Sequence, residues 1–189
     1  MRHYPIMLDL YGKDAVVIGG GKVANRKIRS LVEAGASVTV VSPEVTANIK
    51  KLVQQGQINW IKKQVEAKDY QDAFVVIAAT NGPDVNQRIA AQAGKHQLVN
   101  VVDDPDNGNF HVPAKLSRGR LTIAVSTGGA SPILAKRIRD ELAQTYDTTY
   151  EDYMDHLFDC RQKIKRMTLS EQEKRKILEE CVSSWEKKS

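Results

Sequence analysis

The 189-residue sequence predicts an α/β fold, a parallel sheet with helices on both faces followed by a helical C-terminal region. Three observations carry that prediction. Short β-branched runs alternate with segments of helical period through the first half of the chain. A turn of three glycines, Gly19-Gly20-Gly21, separates the first run from the first helical segment. From Thr149 onward the chain is charged and keeps a helical period.

Ala15-Val16-Val17-Ile18 is apolar without alternation, which marks a strand buried on both faces. Lys22 to Ala34 places Val23, Ile28, Leu31 and Val32 on a helical period, and Gly35 is positioned to end that helix. Ser37-Val38-Thr39-Val40-Val41 is a second strand, broken by Ser42-Pro43. Glu44 to Gln55 reads as helix, stopped by Gly56, and Ile58 to Ile61 as a weaker third strand. Phe74 to Ala79 is a fourth strand, Thr80-Asn81-Gly82-Pro83 a turn, Asp84 to Ala93 a helix, and Leu98 to Val102 a fifth strand. Strands that alternate with helices in this way pair in parallel through right-handed crossovers. The pattern changes after Val102. Asp103 to Asn109 is a polar loop, and Leu121 to Ser126 is a sixth strand. Ser131-Pro132, an N-cap residue and a proline at N1, opens a helix toward Leu142. Tyr153, Leu157, Ile164, Ile177, Leu178 and Val182 mark the apolar side of the C-terminal helices, and the main boundary falls near residue 113.

Hydrophobic content of 41% and charged content of 27% suit a globular domain. No apolar run approaches the roughly 20 residues that cross a bilayer. Met1-Arg2-His3-Tyr4-Pro5 lacks the apolar stretch of a signal peptide, so the expected location is cytoplasmic, with no membrane partner. The net charge of +5 fits a small polyanionic substrate or simple solubility. Nucleic acid is not an expected partner, because Glu151, Asp152, Asp155 and Asp159 interrupt the basic C-terminal helices. Cys160 and Cys181 form no CxxC, and His3, His96, His111 and His156 are scattered, so no metal site is expected. His111, just after the polar loop, is a candidate for lining a cleft.

The glycine turn has the spacing of a dinucleotide fingerprint in a Rossmann-like fold. Gly19 makes the tight turn, Gly21 lets a pyrophosphate approach the backbone, and the small Ala24 lets the helix pack on the strand. The helix that opens at Lys22-Val23 directs its positive end at the phosphates. The competing reading is a turn that only reverses the chain. Where an acidic residue would bind the adenosine ribose, this chain has Ser42-Pro43-Glu44. Ser42 can hydrogen-bond a ribose hydroxyl, Glu44 supplies charge if the turn carries it inward, and Arg26 would instead attract a phosphate. NAD is the preferred cofactor over NADP on this basis. Thr80 and Asn81, at the carboxyl end of the fourth strand, are assigned to the ribose or nicotinamide side, against the alternative of an ordinary helix-capping turn.

Asp103 and Asp104 end the fifth strand. Alternation directs them to different sides, so one serves as acid or base while the other caps the loop, or both only shape the turn before Pro105. Gly128-Gly129, preceded by Ser126 and Thr127, forms a second turn at a helix start. It either holds a substrate carboxylate or simply caps the helix.

Together, Pro5-Ile6-Met7-Leu8-Asp9-Leu10, Val17 through Lys27, Ala78-Ala79-Thr80-Asn81, Val85-Asn86, Asn100-Val101-Val102-Asp103 and Val125 through Pro132 resemble the precorrin-2 dehydrogenase family, which is also the N-terminal module of sirohaem synthase. The resemblance implies NAD-dependent oxidation of precorrin-2 to sirohydrochlorin in sirohaem biosynthesis. It implies a catalytic aspartate at Asp103, with Asp104 the alternative, and a substrate rich in carboxylates, for which Lys22, Arg26, Arg118, Arg120 and Lys136 are candidate partners. It also implies a homodimer formed through the segment after the Rossmann domain, with apolar residues between Leu121 and Leu142 at the interface. The expected division is an NAD-binding domain at 1–112, a dimerisation segment at 113–145 and a C-terminal helical domain at 146–189. Some relatives also insert iron into sirohydrochlorin, so a bifunctional dehydrogenase and ferrochelatase is one alternative. A non-catalytic NAD- or tetrapyrrole-sensing module is another, for which the Asp103-Asp104 pair and the second glycine turn would be superfluous.

Overall fold

A computed structural model of the chain describes residues 3–186. The chain divides into two compact units, Met1–His111 and Val112–Ser189.

The first unit is built on β1 (Asp14–Ile18), β2 (Ser37–Val41), β3 (Asn59–Ile61), β4 (Val75–Ala78) and β5 (Leu98–Val101). All neighbours are parallel, in the order β3-β2-β1-β4-β5. The helices α1 (Lys22–Glu33), α2 (Ala47–Gln54) and α3 (Pro83–Gln92) join them. Chain order reverses between β1 and β4, and open parallel sheets bind ligands beyond the carboxyl ends of their strands at such a switch point.

Both faces of the sheet are covered, which explains why its strands carry no polar alternation. Ala15 and Val17 of β1 join Ala24, Ile28 and Leu31 of α1 and Ile49 of α2 in one core layer. Val16 and Ile18 face the opposite way and pack with Tyr70, Val76, Ala78 and Ile89. Each fully buried Val or Ile contributes about 1.5–3 kcal/mol. Gly35 adopts φ +76° and donates to the Val32 carbonyl, ending α1 as the sequence predicts. The second helix begins three residues later than Glu44. Ser42 to Thr46 cross in non-helical conformation over the glycine turn, where the Thr46 N–H donates to the Gly20 carbonyl at 3.0 Å.

In the second unit, β6 (Ala114–Arg118) and β7 (Leu121–Val125) form an antiparallel hairpin, closed by Gly119 at φ +54°. The predicted sixth strand is therefore half of a separate two-stranded sheet. Its partner β6 escapes sequence reading because Leu116 is its only buried side chain. The helix α4 (Pro132–Thr145) packs on the hairpin, and α5 (Thr149–Lys165) packs on α6 (Glu171–Glu186). Ser131 accepts a hydrogen bond from the Leu134 N–H at 3.1 Å, the N-cap the sequence predicts. Tyr146, Tyr150 and Tyr153 stack edge to face, with centroids 5.1 and 5.7 Å apart. Among the described residues no helix is long and apolar enough to cross a membrane, and no group of three or more His, Cys, Asp or Glu side chains is placed to hold a metal ion.

Candidate functional site

The three glycines of the β1–α1 turn meet three different surroundings. Gly19 has φ +121°, and a Cβ there would run into the Ala79 carbonyl at the end of β4. At Gly20 a Cβ would run into the Glu44 carbonyl of the β2–α2 connection. At Gly21 it would meet nothing within 4 Å. Gly19 and Gly20 let two neighbouring strand ends close over the turn, while Gly21 leaves open the space beside the start of α1. Gly21 is the N-cap of that helix, no side chain caps it, and its first turn holds no acidic residue. An uncapped helix N-terminus with a bare backbone in front of it fits a pyrophosphate. Ala24 is fully buried between helix and sheet, where only a small side chain keeps the two close. Lys22 and Val23 are exposed and lie outside the cavity lining.

The turn forms one wall of a cavity of about 620 Å³, a size usual for small-molecule sites. Its other walls are residues 42–46 after β2, residues 79–82 after β4, and Gln64, Val85 and Arg88. Ser42, Pro43, Thr80 and Asn81 are thus brought together with Gly19 and Gly21, as the sequence suggests. Ser42 is buried. Its Oγ donates to the Glu44 carbonyl at 2.7 Å, and its own carbonyl accepts from Trp60 Nε1 at 2.9 Å. With its hydrogen committed, the Ser42 hydroxyl meets a ligand as an acceptor. Glu44 and Arg88 are the charged residues in the lining, whereas Arg26 does not belong to it. Sequence reading missed Arg88, which no motif marks and which reaches the cavity only because α3 runs along its edge.

At the end of β4, Thr80 is tied to Asn86. The Asn86 Oδ1 accepts from the Thr80 N–H at 3.1 Å and from its hydroxyl at 2.8 Å. The Asn86 Nδ2 donates to the Thr80 carbonyl at 3.2 Å and to Asp103 Oδ1 at 2.9 Å. Asp104 turns the other way and accepts from Asn107 Nδ2 at 2.7 Å, within its own short 3₁₀ turn Pro105–Asn107. β5 ends at Val101, so both carboxylates lie beyond the strand and its alternation does not set their directions. Their partners differ, and only Asp103 joins the cavity-lining turn through a shared partner. The following loop is fastened to β5. Asn109 accepts from the Val99 N–H and donates to the Gln97 carbonyl, both at 2.7 Å, and Asn100 Nδ2 donates to the Phe110 carbonyl at 3.1 Å. His111 lies against His3, the ring centroids 4.1 Å apart and the planes tilted by 43°, and does not line the cavity.

In the second unit, the turn between β7 and α4 is held from within. Thr127 Oγ1 accepts from the Ser131 N–H at 3.0 Å and lies 3.1 Å from the Ser131 carbonyl, to which it donates. Ser126 Oγ accepts from the Gly128 N–H at 3.2 Å. Gly128 and Gly129 have φ +61° and +90°, and no atom lies within 4 Å of a Cβ built on either. Two candidate substrate cations are engaged inside this unit. Arg118 Nε donates to the Tyr146 carbonyl at 3.0 Å, and the Arg120 guanidinium lies over the Phe158 ring, 3.6 Å from its centroid, and pairs with Asp155 at 3.3 Å.

Residues 6–114 match the model of an NAD(P)-binding family, residues 118–145 that of a sirohaem biosynthesis central domain, and residues 150–185 that of the SirC C-terminal domain. The chain is 40% identical over 179 residues to a precorrin-2 dehydrogenase of Priestia megaterium, covering 95% of this chain and 89% of that protein. The chain belongs to the precorrin-2 dehydrogenase family. A second precorrin-2 dehydrogenase, from Bacillus subtilis strain 168, is 37% identical over 159 residues, covering 84% of this chain and 98% of the relative. A solved structure of a precorrin-2 dehydrogenase, SirC, superposes with a TM-score of 0.84 at 39% identity, covering 95% of this chain and 89% of the other. The family assignment therefore extends through the C-terminal helices, whose charged sequence is the least distinctive part of the chain.

Proposed function

We propose that this chain catalyses the NAD-dependent oxidation of precorrin-2 to sirohydrochlorin, a step toward sirohaem. The observation that carries the reading is the Asn86 amide, which joins the cavity-lining turn at Thr80 to the carboxylate of Asp103. The overall change is precorrin-2 plus NAD+ to sirohydrochlorin, NADH and a proton. When bound, the nicotinamide accepts the hydride. The chain's own residues supply the rest. Gly19 and Gly21 with the start of α1 receive the pyrophosphate, Lys22 and Val23 offering the backbone N–H groups of the first turn and the buried Ala24 setting the approach of the helix. Ser42, Pro43, Thr80 and Asn81 contact the riboses or the nicotinamide. Asp103 accepts the proton that leaves the substrate with the hydride. Asp104, engaged by Asn107, shapes the loop. We assign a substrate carboxylate to the Ser126, Thr127, Gly128 and Gly129 turn, supported by the open space over both glycines. The working division is an NAD-binding domain at 1–112, a segment at 113–145 through which a homodimer forms, and a helical domain at 146–189.

The test is anaerobic incubation of the protein with precorrin-2 and NAD+, followed by absorbance. Formation of NADH and sirohydrochlorin in equal amounts is expected, and neither product forming would overturn the reading. NAD+ is expected to be the better oxidant than NADP+, with Glu44 rather than Arg88 of the lining facing the adenosine ribose in this reading. In the same assay Asp103→Asn is expected to lower kcat by about 100-fold or more, while Asp104→Asn stays within a few-fold of the parent. The reverse ranking would move the base to Asp104.

A further inference from the structure

We propose that Asn86 is a positioning residue for Asp103 that fixes which carboxylate oxygen takes the proton. The inference rests on the reading of Asp103 as the base of the reaction. Asn86 lies in the first turns of α3 at 0% exposure, where an amide needs partners for every donor and acceptor. It has them: two bonds into its oxygen and two from its nitrogen, three of the four partner groups belonging to Thr80 and the fourth being Asp103.

The orientation of that amide follows from its neighbours. The Thr80 backbone N–H can only donate, so the Asn86 oxygen must face it, and the amide nitrogen is thereby directed at Asp103. A nitrogen that only donates requires Asp103 Oδ1 to remain an acceptor. The proton taken from the substrate therefore goes to Oδ2. The link spans 17 residues and joins the ends of two strands, and Asp103 itself is exposed. The bond ties one oxygen of an exposed carboxylate to a buried amide that Thr80 itself holds in place. What the bond does is orient the group. The same amide fixes the Thr80 turn, whose hydroxyl also accepts from the Gly82 N–H at 3.2 Å, so the nucleotide side of the site and the carboxylate share one anchor.

Three variants test this: Asn86→Asp, Asp103→Asn and the two combined. Asn86→Asp keeps the shape and the acceptor for the Thr80 N–H but replaces the donor that faces both Asp103 and the Thr80 carbonyl. Its kcat should fall at least about 10-fold, with the acid limb of the kcat profile displaced to higher pH because two carboxylates now share a site. The KM for NAD+ should rise by a smaller factor than kcat falls, because the Thr80 carbonyl loses its donor as well. In the double variant the introduced carboxylate accepts from the introduced amide. Part of the thermal stability lost in Asn86→Asp should return, the Thr80 carbonyl still lacking its donor, with activity no higher than in Asp103→Asn. Wild-type kcat and pH profile in Asn86→Asp, with Asp103→Asn inactive, would overturn the positioning role. So would an active double variant. Wild-type kcat in Asp103→Asn would instead defeat the reading of the base. Should Asn86→Asp not fold, Asn86→Ser, whose smaller side chain leaves room for water at Thr80, gives the same kcat readout: wild-type kcat overturns the role and a loss supports it.

Discussion

At Gly20 a methyl group would collide with the backbone carbonyl of Glu44, whereas at Gly21 it would meet empty space. The two positions therefore separate folding from binding. Gly20→Ala must push the β2–α2 connection away, and a loss of about 1–3 kcal/mol in unfolding free energy is expected from such overpacking. Gly21→Ala should fold with nearly the parent stability but bind NADH about 10-fold or more weakly, because the methyl occupies the space meant for a pyrophosphate. Chemical denaturation and NADH fluorescence titration check both, and an unchanged NADH affinity in Gly21→Ala would remove the pyrophosphate from that space. The spacing of Gly19, Gly21 and Ala24 was legible because the fingerprint is local. The role of Gly20 was not, since the carbonyl it avoids lies in another connection. The sequence could not choose between Asp103 and Asp104 for the same reason. Their difference lies in Asn86 and Asn107, one on a distant helix and one in the adjoining loop.

The parallel strands were readable as elements because β1, β2 and β4 are rich in buried β-branched residues, while β5 carries its buried Asn100 between two valines. Less of the second unit was legible. The β6 strand has a single buried residue, and α5 and α6 bury little beyond Tyr153 and Ile164. The contact between α5 and α6 holds the chain's two cysteines. A hydrogen bond with Cys160, with burial behind it, pushes the Cys181 thiol up to about 11 from its ordinary 9.0. The folded state thus holds this proton more tightly than the unfolded state. The resulting stabilisation is fully present below about pH 9 and is lost as pH rises through about 11. Cys181→Ser keeps a hydroxyl but does not titrate in that range. Helical circular dichroism during denaturation at pH 8.5 to 11 should show the parent losing more stability than the variant, and parallel losses would mean that the thiol is not coupled to folding.

For the molecule as a whole, membership of the precorrin-2 dehydrogenase family covers nearly the full length of the relatives. Each of its two units leaves large apolar side chains exposed. In the second, Ile133 is 83% exposed and Leu134 47% exposed, side by side in the first turn of α4. In the first, Tyr4, Ile6, Met7 and Leu8 are exposed along a segment with no regular structure. Single exposed apolar residues are ordinary, but adjacent ones at a helix start cost solvation unless a partner covers them. A second copy of the chain is the partner proposed, with Ile133 and Leu134 in the contact. Sedimentation at micromolar concentration should then give twice the chain mass, and Ile133→Glu with Leu134→Glu should give the chain mass alone. The helix itself should tolerate the change, because carboxylates near an N-terminus favour the helix dipole. Unaltered circular dichroism beside a halved mass would assign these residues to the contact between copies. A doubled mass that survives the substitutions would place that contact elsewhere, and a parent that sediments at the chain mass would remove the dimer.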